Sequence, residues 1–384
     1  MRKLVMIPGP TNISERVMSA MLNPTINHRS IEFADLYGTI KEKLQQVFQT
    51  SNEIVVMSGS GTVAIDASVS STVTRGDVVV VPAYGEFATR FGESAARTGA
   101  TIITPHSALG TVPSIDDVEH AMKSSGQNAS ALCVVYNETS TGVTWRRLKE
   151  LKELAAKYEA LLIVDAISIL GGDELPVDRL GIDICVTGSQ KCLAAPAGLA
   201  ILSVSDKAKQ KMKSIEARCQ YLDLIQYFES AKIGQMPYTP ALPLFYALDE
   251  ALDKVLEEGM ERRILRHSIC SEAFYAAFES LGLTSLAGKE DRSHTVIGIL
   301  YPKEIDDQKF RTLLSDRFGV LVAGGFGAMS KRMFRIGCMG EINEAIVTMT
   351  IGSIANALKI CGYDCDPSRA LLAAWEVLAK LNQP

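Results

Sequence analysis

Between about residue 50 and residue 205 the chain repeats one phrase: a short β-branched run, a turn marked by Gly or Pro, then a helical pattern. "NEIVVMSGSG" leads into "TVAIDASVSSTV", "RGDVVVVPAYG" into "EFATRFGESAART", and "ASALCVVYNETSTG" into "WRRLKELKELAAKYEA". In the last of these Leu148, Leu151, Leu154 and Ala155 recur at helical spacing and share one face. "LLIVDAISILGG" and "DICVTGSQK" read as further strands. Continuous apolar runs, rather than alternating ones, predict strands covered on both faces, so the expected fold class is α/β: a mostly parallel sheet between helices. A doubly wound sheet is favoured over a closed eight-stranded barrel because the rhythm stops near residue 205.

Beyond that point the pattern turns helical through "PLFYALDEALDKVLEEGMERRILRHSICSEAFYAAFESLG". A smaller α+β unit follows, with strands at "HTVIGILYP" and "MFRIGCMG" and helices at "DDQKFRTLLSDRFG" and "INEAIVTMTIGSIANALKI". The expected division is a short N-terminal segment, 1–15, that contributes to the active site, a large domain, 16–270, and a small C-terminal domain, 271–384. No internal repeat or low-complexity segment interrupts this plan.

Composition narrows the class. With 384 residues, 47% apolar and 22% charged, the chain resembles an ordinary soluble enzyme. A net charge of −5 and the lack of a basic run argue against nucleic acid or anionic membrane as partner. The apolar part of "MRKLVMIPGP" is too short for a signal sequence, and "ALLIVDAISILGG" is too short to span a bilayer and carries Asp165. A cytoplasmic location is expected. The eight cysteines show no Cys-x-x-Cys spacing, so no metal site is indicated. Cys361 and Cys365 are close enough for a local disulfide, with reduced thiols preferred in a cytosol.

Ligands of open α/β sheets bind beyond the carboxyl ends of the strands. Ser58 to Thr62, Phe87, Asn137 to Gly142, Asp165 and Gln190-Lys191 all fall at such ends, which gathers them into one expected cleft. "GSGTVA" satisfies a dinucleotide fingerprint, so an NAD-linked oxidoreductase built on Gly59-Ser60-Gly61 is a rival reading. That reading requires an acid at the end of the next strand, and "DVVVVPAY" supplies none. The loop can still hold a phosphate at a helix N-terminus, or be a tight turn without a ligand.

Asp165 within "LLIVDAIS" and Lys191 in "TGSQK" pose mirror-image problems, because an unpaired buried charge costs several kcal/mol. A plain Asp–Lys ion pair would solve both. So would a third molecule bound by each: pyridoxal 5'-phosphate takes a lysine on its aldehyde, a carboxylate on its ring nitrogen and a helix N-terminus on its phosphate.

These motifs resemble the class V aminotransferases of the pyridoxal-phosphate fold type I group, in particular the serine–pyruvate and alanine–glyoxylate branch. The resemblance runs from "PGPTN" through "SGSGT", "GEFATRF", "NETSTG", "VDAIS", "TGSQK" and "PYTPALP" to "FRIGCMG". It implies a pyridoxal-phosphate aminotransferase that moves an amino group from serine or alanine to pyruvate or glyoxylate in a ping-pong cycle. Lys191 matches the Schiff-base lysine and Asp165 the partner of the ring nitrogen. Ser60, Gly61, Thr62 and Gln190 match the phosphate cradle, Phe87 the stacking ring and Thr139 the partner of the phenolic oxygen. Ile167 falls among the cofactor contacts, and Gly9 and Arg335 among the substrate contacts. A planar guanidinium grips a carboxylate in a way lysine cannot copy. Without the resemblance, Phe87 reads as a core aromatic and Arg335 as a surface charge.

The resemblance further implies a homodimer with shared active sites, Thr239 of "PYTPA" reaching the partner's phosphate pocket. Three positions depart from the family pattern. Met236 stands where some relatives carry an aromatic phosphate ligand, Thr62 replaces a histidine, and Ala88 replaces a glycine. A lyase or desulfurase on the same scaffold is the nearer alternative, with Cys192 and Cys338 as the thiols to consider, both read in strand-like contexts.

Overall fold

The computed structural model describes residues 3–124 and 129–382. Its centre is a seven-stranded sheet in the order Glu53–Ser58, Leu199–Val204, Ile184–Gly188, Leu161–Asp165, Ala131–Val135, Val78–Val80, Thr101–Ile103. All strands point one way except Leu199–Val204, which is antiparallel to both neighbours. Segments such as "ALCVV", "LLIVD" and "ICVTG" are buried at every position, as expected for β-branched strands with helices on both faces. The sheet is the mostly parallel one the hydrophobic pattern predicts, and it does not close into a barrel.

Three local readings need correction. "LAILSV" went unread as a strand, yet its six residues are wholly buried. The expected helix from Trp145 begins at Leu148, because the Trp145 amide donates to Tyr136 O and prolongs the strand-end pairing. Its buried face is the expected Leu148, Leu151, Leu154 and Ala155. Cys192 lies in a turn after Ile184–Gly188, not in a strand. The long helical stretch divides at Gly259, whose φ of +80° ends Leu242–Glu258 and admits Met260–Ser280.

Two buried apolar clusters result. The larger surrounds the seven-stranded sheet; the smaller joins the second half of Met260–Ser280 to the antiparallel strands Val296–Leu300, Met333–Gly337 and Ala323–Gly324 and to helices Asp307–Phe318, Glu344–Ile360 and Pro367–Leu378. The N-terminus bridges them. Leu4–Val5 pairs in parallel with Val320–Leu321, Met6 packs in the smaller cluster, and the Thr11 amide then donates to Gln190 O beside the larger sheet. Among the described residues no helix is long and apolar enough to cross a membrane.

Candidate active site

A cleft of about 660 Å³ opens at the carboxyl ends of the sheet strands. Ser60, Gly61, Thr62, Phe87, Thr139, Asp165, Ile167, Gln190 and Lys191 all line it. Gly9, Arg335 and Thr239 are not among its lining residues, but Gly9 lies against Lys191 and Arg335 donates to Thr139 O, so both abut residues that line it.

Asp165 ends its strand and is 7% exposed. Its Oδ1 accepts the Ile167 amide at 2.8 Å, and no cation is ion-paired with it among the described residues. Burial pushes its carboxyl up to about 7; the Ile167 amide and Lys191 oppose that rise, and Glu138 adds to it. Lys191 lies in the turn after Ile184–Gly188, where Nζ donates to Pro8 O. Burial lowers its ammonium to about 8, and the charge on Arg335 lowers it further, while Asp165 pulls the other way. The two side chains feel each other yet form no ion pair, so the simple pairing that could have explained both is not what the fold builds. Gly9, at φ +96°, lets the N-terminal segment lie against this lysine: a Cβ there would sit 2.5 Å from Lys191 Cδ and 2.7 Å from Nζ.

Other groups of the cleft are suited to an anion. Helix Gly61–Thr72 starts at Ser60 with no side-chain cap on its amides, so its N-terminal dipole is open. A Cβ on Gly61 would meet Ile167 Cδ1 at 2.6 Å, so the close seat of that helix on the strand end needs glycine. Gln190 Oε1 is buried with no hydrogen-bond partner, an arrangement that normally has an explanation in a missing ligand or water. An uncapped helix start, an orphaned buried amide, a raised carboxyl and a lowered amine together fit a phosphorylated aldehyde with a basic ring nitrogen.

Above them Phe87 is half-buried and stacks on Phe326, with ring centroids 6.4 Å apart and planes at 20°. The Arg90 guanidinium lies over both rings, 5.3 and 5.0 Å from their centroids. Thr139 lines the cleft from the turn after Asn137–Glu138. Arg335, in the middle of Met333–Gly337, donates from Nε to Gly324 O at 2.9 Å and from Nη1 to Thr139 O at 2.8 Å. No carboxylate pairs with it among the described residues, and burial lowers its pKa. Two backbone carbonyls hold this guanidinium in place without neutralising it.

The remaining positions divide. Asn137 also lines the cleft, with its side chain hydrogen-bonded within the fold: Nδ2 donates to Ser168 Oγ and Thr295 Oγ1, and Oδ1 accepts from Thr144. Thr239 is exposed, just before the Ala241 amide that donates to Ser58 Oγ. Met236 is buried in the larger cluster, and its carbonyl receives Arg29. Cys192 and Cys338 are fully buried and their thiols are pushed up, Cys192 to about 12, mainly by burial. Neither can act as the mobile thiolate a desulfurase requires. Cys361 and Cys365 are free thiols. The dinucleotide reading fails on topology: Glu53–Ser58 is an edge strand whose neighbour is the antiparallel Leu199–Val204, whereas Val78–Val80 lies at the far side of the sheet. Phe326 and Arg90 carry no role in the sequence pattern, and Glu138 is not distinguished there from the rest of Asn137 to Gly142, since the contacts that matter to them cross between distant segments.

Residues 9–341 match the family model for class V aminotransferases. The chain is 41% identical, over 99% of its length and 98% of the relative's, to an uncharacterized aminotransferase of Methanocaldococcus jannaschii. It is 34% identical to a serine–glyoxylate aminotransferase of Methylorubrum extorquens, covering 97% of this chain and 95% of that one. The crystal structure of ureidoglycine–glyoxylate aminotransferase from Bacillus subtilis superposes with a TM-score of 0.93 at 28% identity, covering 99% and 98% of the two chains. This family is in general pyridoxal-phosphate-dependent. The protein is an aminotransferase and belongs to the class V aminotransferase family.

Proposed function

We propose that this aminotransferase binds pyridoxal 5'-phosphate in the cleft and transfers the amino group of serine or alanine to glyoxylate or pyruvate. The observation that carries the reading is the pair Asp165 and Lys191: the acid is buried and the lysine half-buried in one cleft, their ionisation is shifted in opposite directions, and they are not paired with each other. The donors and acceptors are those in the names of the serine–glyoxylate and alanine–glyoxylate relatives, extended to pyruvate by the family resemblance.

In this reading Ser60, Gly61, Thr62 and Gln190 would hold the phosphate, Phe87 and Ile167 would contact the ring, Thr139 would serve the phenolic oxygen and Asp165 the ring nitrogen. Bound there, the cofactor supplies the carbonyl carbon and electron-withdrawing ring on which transamination depends. The residues do the rest. Asp165 would hold a proton on the ring nitrogen, and a cation there would favour the ionised carboxyl. Lys191, with its ammonium lowered to about 8, has an appreciable neutral fraction near neutrality, so Nζ can take the α-proton of the amino donor and return it. Arg335 grips the α-carboxylate of the donor first and of the 2-oxo acid second, which makes the cycle ping-pong. Gly9 keeps the N-terminal segment low enough to wall the substrate in. Thr239, exposed in the single chain, is assigned to the phosphate pocket of a second subunit, so the working unit is a homodimer.

The test is a half-reaction panel. Protein loaded with the cofactor is mixed with serine or alanine and no acceptor, and the visible absorbance is followed; it should fade within one turnover and recover on adding glyoxylate. Protein that stays colourless with the cofactor, or whose colour no amino acid bleaches, would refute the reading.

A further inference from the structure

Glu138 is fully buried, ion-paired with no cation among the described residues, and surrounded by donors. Its Oε2 accepts the backbone amides of Phe87 and Ala88 at 3.0 and 2.9 Å. Its Oε1 accepts the Ser140 amide at 2.9 Å and the Ser140 hydroxyl at 2.6 Å. Ser140 Oγ in turn accepts the Glu86 amide at 3.0 Å. Each oxygen therefore takes two donors, a set that a carboxylate satisfies and a side-chain amide does not, because in either orientation its NH₂ would face at least one backbone N–H. The backbone is shaped to admit it. Helix Glu86–Ala96 starts at Gly85 with no cap of its own, and a Cβ on Gly85 would collide with Glu138 Cγ and Cδ.

Two parts of the cleft meet at this group. On one side it closes the N-terminus of the helix that carries Phe87, where a negative charge is favoured by the helix dipole. On the other it shapes the turn Glu138–Gly142, whose Thr141 and Gly142 amides return to Glu138 O. Thr139 O in that turn is the acceptor that holds Arg335.

We infer that Glu138 is a positioning residue of the active site: its carboxylate sets the height of the Phe87 ring over the cofactor and the orientation of the Thr139 turn that holds Arg335. The inference rests on the proposed cofactor reading. Buried charge-assisted hydrogen bonds of this kind, once lost with the donors left behind, change binding by roughly 10- to 100-fold.

The experiment is a double-mutant cycle on the full-length protein, with Glu138→Gln, Phe87→Leu and the double variant. Cofactor dissociation constants are measured on the apo form, together with the visible circular dichroism of the bound state. Each single variant should bind the cofactor about 10- to 100-fold more weakly, and the double variant no more weakly than the worse single. The visible dichroism should fall in Glu138→Gln, a signature that a mere loss of stability leaves unaltered in the folded fraction. Binding within twofold of the wild type, or effects that multiply in the double variant, would overturn the inference. Should Glu138→Gln not fold, the same cycle with Ser140→Ala decides, with a severalfold loss that vanishes in the Phe87→Leu background. Wild-type protein that binds no cofactor would remove the function reading and this inference together; wild-type binding with an unaffected Glu138→Gln removes the inference alone.

Discussion

Asp165 and Asp173 lie eight residues apart on one stretch of chain, and both are nearly inaccessible, at 7% and 4% exposed. Their surroundings are opposite. Asp173 is met by Arg146 at 2.6 Å and His294 at 3.0 Å, and its own Oδ1 accepts the Glu174 amide. Those partners hold its carboxyl below the usual carboxylate range despite burial. Asp165 has, among the described residues, one backbone amide and no ion-paired cation, and burial carries it up to about 7. The first acid is completed by its own fold. The second is left incomplete, at a strand end, beside an open cleft. Burial alone therefore says little about purpose; the presence or absence of a counter-ion separates an acid that holds structure from one reserved for a ligand.

Substitutions should separate the cleft from the salt-bridged corner. The largest effect is expected of Lys191→Ala, which should abolish turnover while the cofactor remains weakly bound by the phosphate cradle; full activity would refute the role of this residue. Asp165→Asn should slow the amino-acid half-reaction by about 10²- to 10³-fold, within the range ascribed to a positioned proton-holding group, whereas Asp173→Asn should leave the half-reaction rate near that of the wild type. Equal losses in the two variants would erase the distinction. Arg335→Lys should raise KM for amino donor and 2-oxo acid alike, about tenfold or more, because the fork is lost while a charge remains; unchanged saturation would exclude it from the carboxylate site. Asp173→Asn should show itself instead in urea unfolding, as a loss of about 2 kcal/mol from charge-assisted bonds to partly exposed partners.

The smallest effect is on pH dependence. Because Asp165 is raised in the folded protein from its ordinary 3.8 to about 7, the cofactor-free protein binds the extra proton between those values. Its stability contribution is full below about 4 and lost as pH rises through about 7. Asp173 has the opposite sign: its contribution is present above its unfolded value and lost as pH falls through its lowered one. Unfolding of the apo form across pH 4 to 7 should thus show a downward slope that Asp165→Asn flattens and Asp173→Asn does not.

Much of the cleft was legible because strand ends are legible. Lys191, Asp165, Gln190, Phe87 and the Ser60 loop all follow apolar runs, and parallel strands deliver their carboxyl ends to one side. Glu138 stood in plain view within "NETSTG" but was not distinguished from its polar neighbours. Its importance comes from the amides of Phe87 and Ala88, some fifty residues earlier in the chain. Arg335 reads as a surface charge without the family resemblance, since the carbonyls that hold it belong to Thr139 and Gly324. "LAILSV" escaped because a buried antiparallel strand between parallel ones has the same continuous apolar pattern and no helix to mark its crossover.

The amino-acid order by itself determined the alternation of strand and helix, the parallel character of most of the sheet and the set of polar groups at its ends. Those depend on backbone sterics and on periodicity within ten or twenty residues. Only the tertiary structure decided which buried charge would be paired, since pairing depends on what distant segments bring within hydrogen-bond reach. Arg146 and His294 reach Asp173, and among the described residues no cation is ion-paired with Asp165. The same sequence that buries two acids thus leaves one of them free to meet a ligand.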